Sequence, residues 1–239
     1  MIYTSKIEQH NIDFTGRASI TTLMARVVAT AGMDAHHGGF GITKLNDSGH
    51  TWVLLKFAME LHRIPTLGTE ITTDTWIESV SRLFSLRNFV LSDQRGEVFG
   101  EARSQWCIID LANRKAVDIN ATHPQVSNCS EPRSGTIALP KKLTALTEST
   151  QSSTHIVKYS DTDFNRHLNA VRYVELMLNE APLELISRSK SIRLDLHYIA
   201  ECYLGEEIQI KHTHTATTSQ FEITKTDGTI SARAAIHWQ

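Results

Sequence analysis

Leu67-Gly68-Thr69-Glu70-Ile71 and Leu204-Gly205-Glu206-Glu207-Ile208 are one phrase written twice, 137 residues apart. Other phrases repeat around it. Upstream, Asp13-Phe14 returns as Asp163-Phe164 at an offset of 150, and Arg26-Val27-Val28 resembles Arg172-Tyr173-Val174 at an offset of 146. Downstream, Gly96, Val98, Ala102 and Trp106 are matched by Gly228, Ile230, Ala234 and Trp238 at an offset of 132. Each short match is weak alone. In one order, with an offset that only shrinks, they describe two copies of one unit, the second with shorter loops.

Both copies carry the same coarse order: a short strand, one helix, then several strands. In the first, Gly16 to Ala31 lacks strong breakers, and Leu23, Val27 and Ala31 recur at helical spacing. Gly32 and the Gly38-Gly39 pair mark the next stretch as loop. His50 to Ile64 alternates, with Val53, Leu55, Phe57, Met59 and Leu61 in one phase, and strands are expected over 70–80, 84–92 and 97–111. The second copy opens with a strand near 155–159. A helix over 170–180 comes next, with Val171, Val174 and Leu178 on one face and Pro182 beyond its end. Strands are expected over 191–200, 206–215, 220–225 and 230–238, with Asp227-Gly228 as a hairpin turn. One helix followed by a run of antiparallel strands is a curved sheet wrapped around a helix, in the α+β class. Written twice, it is the pattern of a tandem (double) hot-dog fold. The expected domains are 1–126 and 155–239, joined by a Ser-, Thr- and Pro-rich linker over 127–154.

Composition narrows the function. The chain has 239 residues, 41% hydrophobic and 21% charged, which suits a soluble globular protein. A formal charge of -2 and a pI near 6.6 give no general drive toward nucleic acid. No apolar run reaches membrane-spanning length, so no membrane association is expected. Residues 1–10 include Lys6 and Glu8 where a signal peptide would be apolar. Cys107, Cys129 and Cys202 are odd in number and lack Cys-x-x-Cys spacing, which favours a reducing cytoplasm.

The copies differ where chemistry is expected. The second reads Asp161-Thr162-Asp163-Phe164-Asn165-Arg166-His167-Leu168-Asn169-Ala170-Val171-Arg172-Tyr173; the first has Asp13-Phe14-Thr15-Gly16-Arg17 at the equivalent places. An amide and an imidazole in one copy are thus a hydroxyl and a guanidinium in the other. Asn and Asp favour turns on their own account. The cluster, however, lies just before a helix, where backbone amides and the dipole can stabilise an anion.

The run from Asp163 to Tyr173, with Ala200-Glu201-Cys202 some thirty residues on, resembles the acyl-acyl carrier protein thioesterase family. So do Leu61-His62-Arg63-Ile64-Pro65-Thr66 with Gly68, Asp74-Thr75-Trp76 and Ser104 with Trp106. The resemblance spans nearly the whole chain. It implies a double hot-dog hydrolase that releases free fatty acid from acyl carrier protein and so ends fatty acid synthesis. Carried over, it implies Asp163, Asn165, His167 and Glu201 as the catalytic set, with Cys202 open to debate. Plant members carry a plastid transit peptide. None is visible here, so a bacterial-type cytoplasmic enzyme is expected.

Two schemes fit these residues. Glu201 and His167 can deprotonate a water, with Asn165 positioning it or donating to the acyl carbonyl and Asp163 holding the turn. Alternatively Cys202 attacks, with His167 as base and Asn165 as orienter. A carboxylate beside the thiol disfavours the thiolate that attack requires, so the water scheme is preferred. The first copy, lacking the catalytic set, is expected to line the substrate pocket, with Met24, Val27 and Val28 as wall residues. Basic residues of the second copy, Arg166 and Arg172 among them, would form a rim that steers the acidic carrier protein and its pantetheine-linked acyl chain. Acyl-coenzyme A hydrolysis and non-catalytic acyl binding are the alternatives. Acyl chain length and homodimer formation stay open.

Other motifs are rejected. A calcium loop would need Gly where Arg166 stands and Glu where Arg172 stands. The pairs His36-His37 and His212 with His214 lack a third ligand at useful spacing, and solvated surface histidines are expected. No phosphate-binding glycine motif is present, so no cofactor is expected.

Overall fold

A computed structural model describes residues 1–146 and 151–239. They form two compact units, Met1–Leu139 and Pro140–Gln239. Of the expected linker, 147–150 lie outside the described residues. At its margins, one short helix already occupies Pro124–Asn128 and a strand begins at Gln151.

The first unit runs β1 (Ile2–Lys6), a 3-10 turn (Gln9–Asn11), α1 (Ile20–His37), α2 (Ile42–Asp47), β2 (His50–Leu61), β3 (Glu70–Val80), β4 (Ser85–Asp93), β5 (Val98–Asp110), α3 (Ile119–Thr122) and α4 (Pro124–Asn128). The second runs β6 (Gln151–Ile156), a 3-10 turn (Tyr159–Asp161), α5 (Ala170–Asn179), α6 (Leu183–Arg188), β7 (Ile192–Tyr198), β8 (Glu207–His214), β9 (Thr218–Lys225) and β10 (Ile230–Trp238). Within each unit neighbouring strands pair antiparallel. The strand order is β1-β3-β4-β5-β2 in one and β6-β8-β9-β10-β7 in the other, the same topology. This is the α+β hot-dog arrangement in duplicate.

Three of the four sequence matches fall on equivalent structure. Gly68 and Gly205 have φ of 84° and 87°, a left-handed turn that only glycine adopts without strain. Their N–H groups donate to Ile7 and Val157 carbonyls at 2.9 and 2.8 Å, which ties each turn to the strand that opens its unit. Phe89 pairs across from Ala102, as Phe221 does from Ala234, so a ring beside a methyl recurs at an offset of 132. The fourth match is corrected. Leu23, Met24, Val27 and Ala31 are buried on α1, and Tyr173, Val174, Met177 and Ala181 are buried in the second unit, all at an offset of 150. Arg26 therefore does not correspond to Arg172. The buried face of α5 is also shifted from the expected one: Val171 and Leu178 are only half-buried.

Two further corrections have local causes. Helix α1 continues through Gly32 to His37 because its last turns are anchored. Asp34 accepts from the buried Arg87 guanidinium at 2.6 Å, and Ala35 packs in a cluster with Phe40, Leu45 and Ile77. That contact outweighs the roughly 1 kcal/mol that glycine costs in a helix. His36 and His37 accordingly sit on the helix end and not in a glycine-rich loop. In β2 the register slips between Leu54 and Lys56, a bulge that puts Leu54 in the buried set with Phe57, Met59 and Leu61, leaving Val53 and Leu55 half-buried. Among the described residues no helix is long and apolar enough to cross a membrane.

Candidate active site

The polar cluster folds as a tight loop between the second 3-10 turn and α5. Asp163 is its hub. Its Oδ1 accepts from the Asn165 N–H at 2.8 Å and the His167 N–H at 3.2 Å. Its own N–H donates to the His167 carbonyl at 2.9 Å, and its carbonyl accepts from the Arg166 N–H at 3.0 Å. Closing so small a ring forces Arg166 to φ 63°, a conformation costly for a residue with a Cβ. Asn169 then caps α5, its side chain accepting from the Val171 N–H at 2.9 Å.

The segment from Glu201 to Leu204 lies alongside this loop, with Tyr203 bridging to His167. Leu168 N–H donates to the Cys202 carbonyl at 2.8 Å, and Leu204 N–H to the Arg166 carbonyl at 3.2 Å. Glu201 and Tyr203 turn toward His167, and Cys202 turns away into the interior. On the first side, Glu201 Oε1 lies 3.3 Å from His167 Nδ1. Tyr203 donates its hydroxyl to Glu201 Oε2 at 3.2 Å and meets the His167 ring edge-to-face at 4.8 Å between centroids. On the other side, Cys202 is fully buried, its Sγ donating to Ser231 Oγ at 3.0 Å and its N–H to the Tyr173 hydroxyl at 3.2 Å. Ser231 also pairs with Tyr173 at 2.9 Å and donates to the Ala200 carbonyl at 2.5 Å. Burial and the neighbouring thiol push the Tyr173 phenol far up, so it stays a neutral hydrogen-bonding group.

Asp163, His167 and Glu201 are thus brought together, and Asn165 joins them through its N–H, half-buried on the same loop. Cys202 is not brought to the pair. Tyr203 does not stand out in the sequence, although its place two residues beyond Glu201 is a usable signal.

The first unit keeps the loop without the imidazole. Asp13 accepts from the Thr15 N–H at 2.8 Å, donates to the Arg17 carbonyl at 2.8 Å, and receives Gly16 N–H at 3.0 Å. Gly16, at φ 74°, stands where Arg166 does, and Arg17 where His167 does. Of the expected wall residues, Met24 and Val27 are fully buried in α1 and Val28 half-buried. Of the expected basic rim, Arg166 is exposed, whereas Arg172 pairs with Glu175 one turn on, which offsets its charge.

His212 and His214 are not the solvated pair expected. Strand β8 packs them against the end of α5, where His212 is buried, touching His214 at 2.9 Å and Glu180 at 3.4 Å. Burial and the neighbouring His212 hold His214 below the usual histidine range.

Residues 3–123 match the acyl-ACP thioesterase N-terminal domain and residues 144–239 the acyl-ACP thioesterase C-terminal domain. A chloroplastic oleoyl-acyl carrier protein thioesterase of Arabidopsis thaliana is 28% identical over 211 residues, 83% of this chain and 57% of the relative. A chloroplastic palmitoyl-acyl carrier protein thioesterase of Gossypium hirsutum is 28% identical over 233 residues, 90% of this chain and 55% of the relative. The chain spans just over half the length of these curated relatives. Among solved structures, an acyl-ACP thioesterase from Bacteroides thetaiotaomicron is similar at a TM-score of 0.89 and 32% identity, covering 100% of this chain and 97% of that one. A 12:0-ACP thioesterase from Umbellularia californica reaches 0.89 at 19% identity over 100% and 96% of the two chains, a likeness of fold.

Proposed function

Because this chain belongs to the acyl-acyl carrier protein thioesterase family, we propose that it hydrolyses the thioester of fatty acyl-acyl carrier protein. The observation that carries the proposal is the 3.3 Å contact between His167 Nδ1 and Glu201 Oε1 beside the Asp163-organised loop. With Nδ1–H directed at the carboxylate, Nε2 keeps its lone pair and can take a proton from water. The water oxygen bonds to the acyl carbon, and Glu201 stabilises the imidazolium that forms. The oxyanion then collapses, the C–S bond breaks, and the pantetheine sulfur receives the proton from His167. The products are a free fatty acid and the holo-carrier protein. Asn165 donates to the acyl oxygen or holds the water, and Asp163 keeps both neighbours in place without touching substrate.

Cys202 is assigned a structural role, since a fully buried thiol engaged by Ser231 has no approach to a thioester. The acyl tail is assigned to the first unit, walled by Met24, Val27 and Val28, and the catalytic groups to the second. Acyl carrier protein is the proposed partner, met in part by Arg166. A reducing cytoplasm suits three unpaired cysteines.

Hydrolysis of a panel of saturated and unsaturated acyl-carrier substrates tests the reading. The wild type should release fatty acid. His167→Ala should lose roughly a hundred- to ten-thousand-fold in kcat, the range for general base assistance. Glu201→Gln should be severely impaired, whereas Cys202→Ala should stay an active hydrolase, less stable by about 1 kcal/mol from the lost packing. A covalent acyl group on Cys202 in denaturing mass spectrometry, or the opposite ranking of the last two variants, refutes the water scheme.

A further inference from the structure

The Glu201 carboxylate has two oxygens, and the reaction proposed above uses one of them. Oε1 faces His167 at 3.3 Å, while Oε2 accepts from the Tyr203 hydroxyl at 3.2 Å. The same phenol ring meets the imidazole edge-to-face, 4.8 Å between centroids with planes at 86°. Tyr203 thus touches both halves of the pair. It is itself held at three points. Its backbone bridges to His167, its N–H donates to Glu206 Oε2 at 3.0 Å, and Lys225 stands over its ring at 5.3 Å. Lys225 is fixed in turn by Glu206, 3.1 Å away.

From this geometry we infer that Tyr203 is a positioning residue of the thioesterase site: it clamps Glu201 and the His167 ring into one reactive arrangement. The inference rests on the proposed hydrolysis. A carboxylate on a half-exposed side chain turns freely about its terminal torsion. Fixing Oε2 leaves Oε1 pointed at Nδ1, and the ring contact limits how far the imidazole can swing. Such a device acts on the fraction of molecules ready to react, so it raises kcat without adding affinity for the acyl chain. Its hydroxyl acts through Glu201, which makes that contribution conditional on the carboxylate.

Tyr203→Phe and Tyr203→Leu in the full-length chain test the inference, each also combined with Glu201→Gln. Tyr203→Phe keeps the ring and loses the hydroxyl, and kcat should fall roughly tenfold at unchanged KM, the scale of one hydrogen bond to a charged group. Tyr203→Leu should fall further, because the ring contact goes as well. On the Glu201→Gln background Tyr203→Phe should cost nothing more, a coupling that a purely structural tyrosine would not give. A readout independent of turnover is the NMR position of the His167 ring protons, which should hold in Tyr203→Phe and move in Tyr203→Leu as the ring current is lost. Wild-type kcat in Tyr203→Phe, an equal loss with and without Glu201, a change confined to KM, or unmoved His167 protons in Tyr203→Leu would each overturn the inference. If the wild type itself releases no fatty acid, the proposed activity falls, and the NMR comparison still decides whether the clamp exists.

Discussion

At Arg166 the chain accepts strain for a reason visible in its sibling loop. The equivalent residue of the first unit is Gly16, and both occupy the left-handed region, at φ 63° and 74°. A side chain with a Cβ costs about 1 kcal/mol or more there. Glycine would relieve that strain but would give back about 0.5–1 kcal/mol through its freer unfolded chain. Arg166→Gly should therefore leave thermal stability unchanged or slightly raised. If Arg166 meets the acidic carrier protein, the variant should raise KM for acyl-carrier substrate severalfold, with most of that difference gone at high salt. Steady-state kinetics at low and high ionic strength, beside a melting curve, check both halves. The loop is readable in the sequence because its members are neighbours along the chain. Tyr203 is less so, since its part depends on a segment about forty residues on folding back beside the loop.

Where β6 leads into the 3-10 turn, a carboxylate joins strand, turn and helix. Asp161 Oδ2 accepts from the Lys158 N–H at 2.8 Å and meets His155 Nε2 at 2.7 Å, and the Asp161 carbonyl receives the Asn169 N–H at 2.8 Å. Burial pushes this carboxyl up, but the Lys158 and His155 hydrogen bonds with the charges of His155 and Arg172 together hold it below the usual carboxylate range. A depressed carboxyl contributes stability above its unfolded value, and that contribution is lost as pH falls through the folded one. Asp161→Asn should thus be less stable than wild type at neutral pH, with the gap narrowing as pH drops below about 4. Urea melts across that range measure it, and a constant gap would show that the carboxylate charge contributes nothing. Element boundaries show what sequence periodicity can and cannot carry. The span of β3 is legible from alternation between turn signals, whereas the bulge in β2 leaves no mark, because one extra residue inverts phase without changing composition. The run of α1 past Gly32 depends on Asp34 meeting Arg87, 53 positions away.

Across the molecule, duplication explains why so much is legible. Two copies supply an internal comparison, and agreement between them at Gly68 and Gly205 is information that one copy could not give. That internal comparison misleads only where it rests on residue likeness alone, as with Arg26 and Arg172. The proposed division of labour between the units sets the last expectation. Substitutions at Val28, half-buried on α1, should shift the preferred acyl length while kcat on the best substrate holds within a few-fold. Gas chromatography of the fatty acids released by Val28→Ala and Val28→Phe reads the shift, and identical product profiles would place the tail elsewhere. Met24 and Val27, fully buried, should show the same shift only alongside lost stability, about 1 kcal/mol or more for Val27→Ala.

Asp13 still gathers the N–H groups of a loop that has no imidazole to present. With no imidazole beside it, the Asp13 carboxylate in that unit serves the fold of its loop. Asp163 does the same for the second loop, so a charge at that place need not be a participant in catalysis. In the first loop the imidazole's place is filled by a network of its own, the Thr15 hydroxyl donating to Asp13 Oδ1 at 2.5 Å and Arg17 Nε donating to Thr15 Oγ1 at 2.9 Å. New chemistry could be seated there by exchanging side chains while the backbone is left alone.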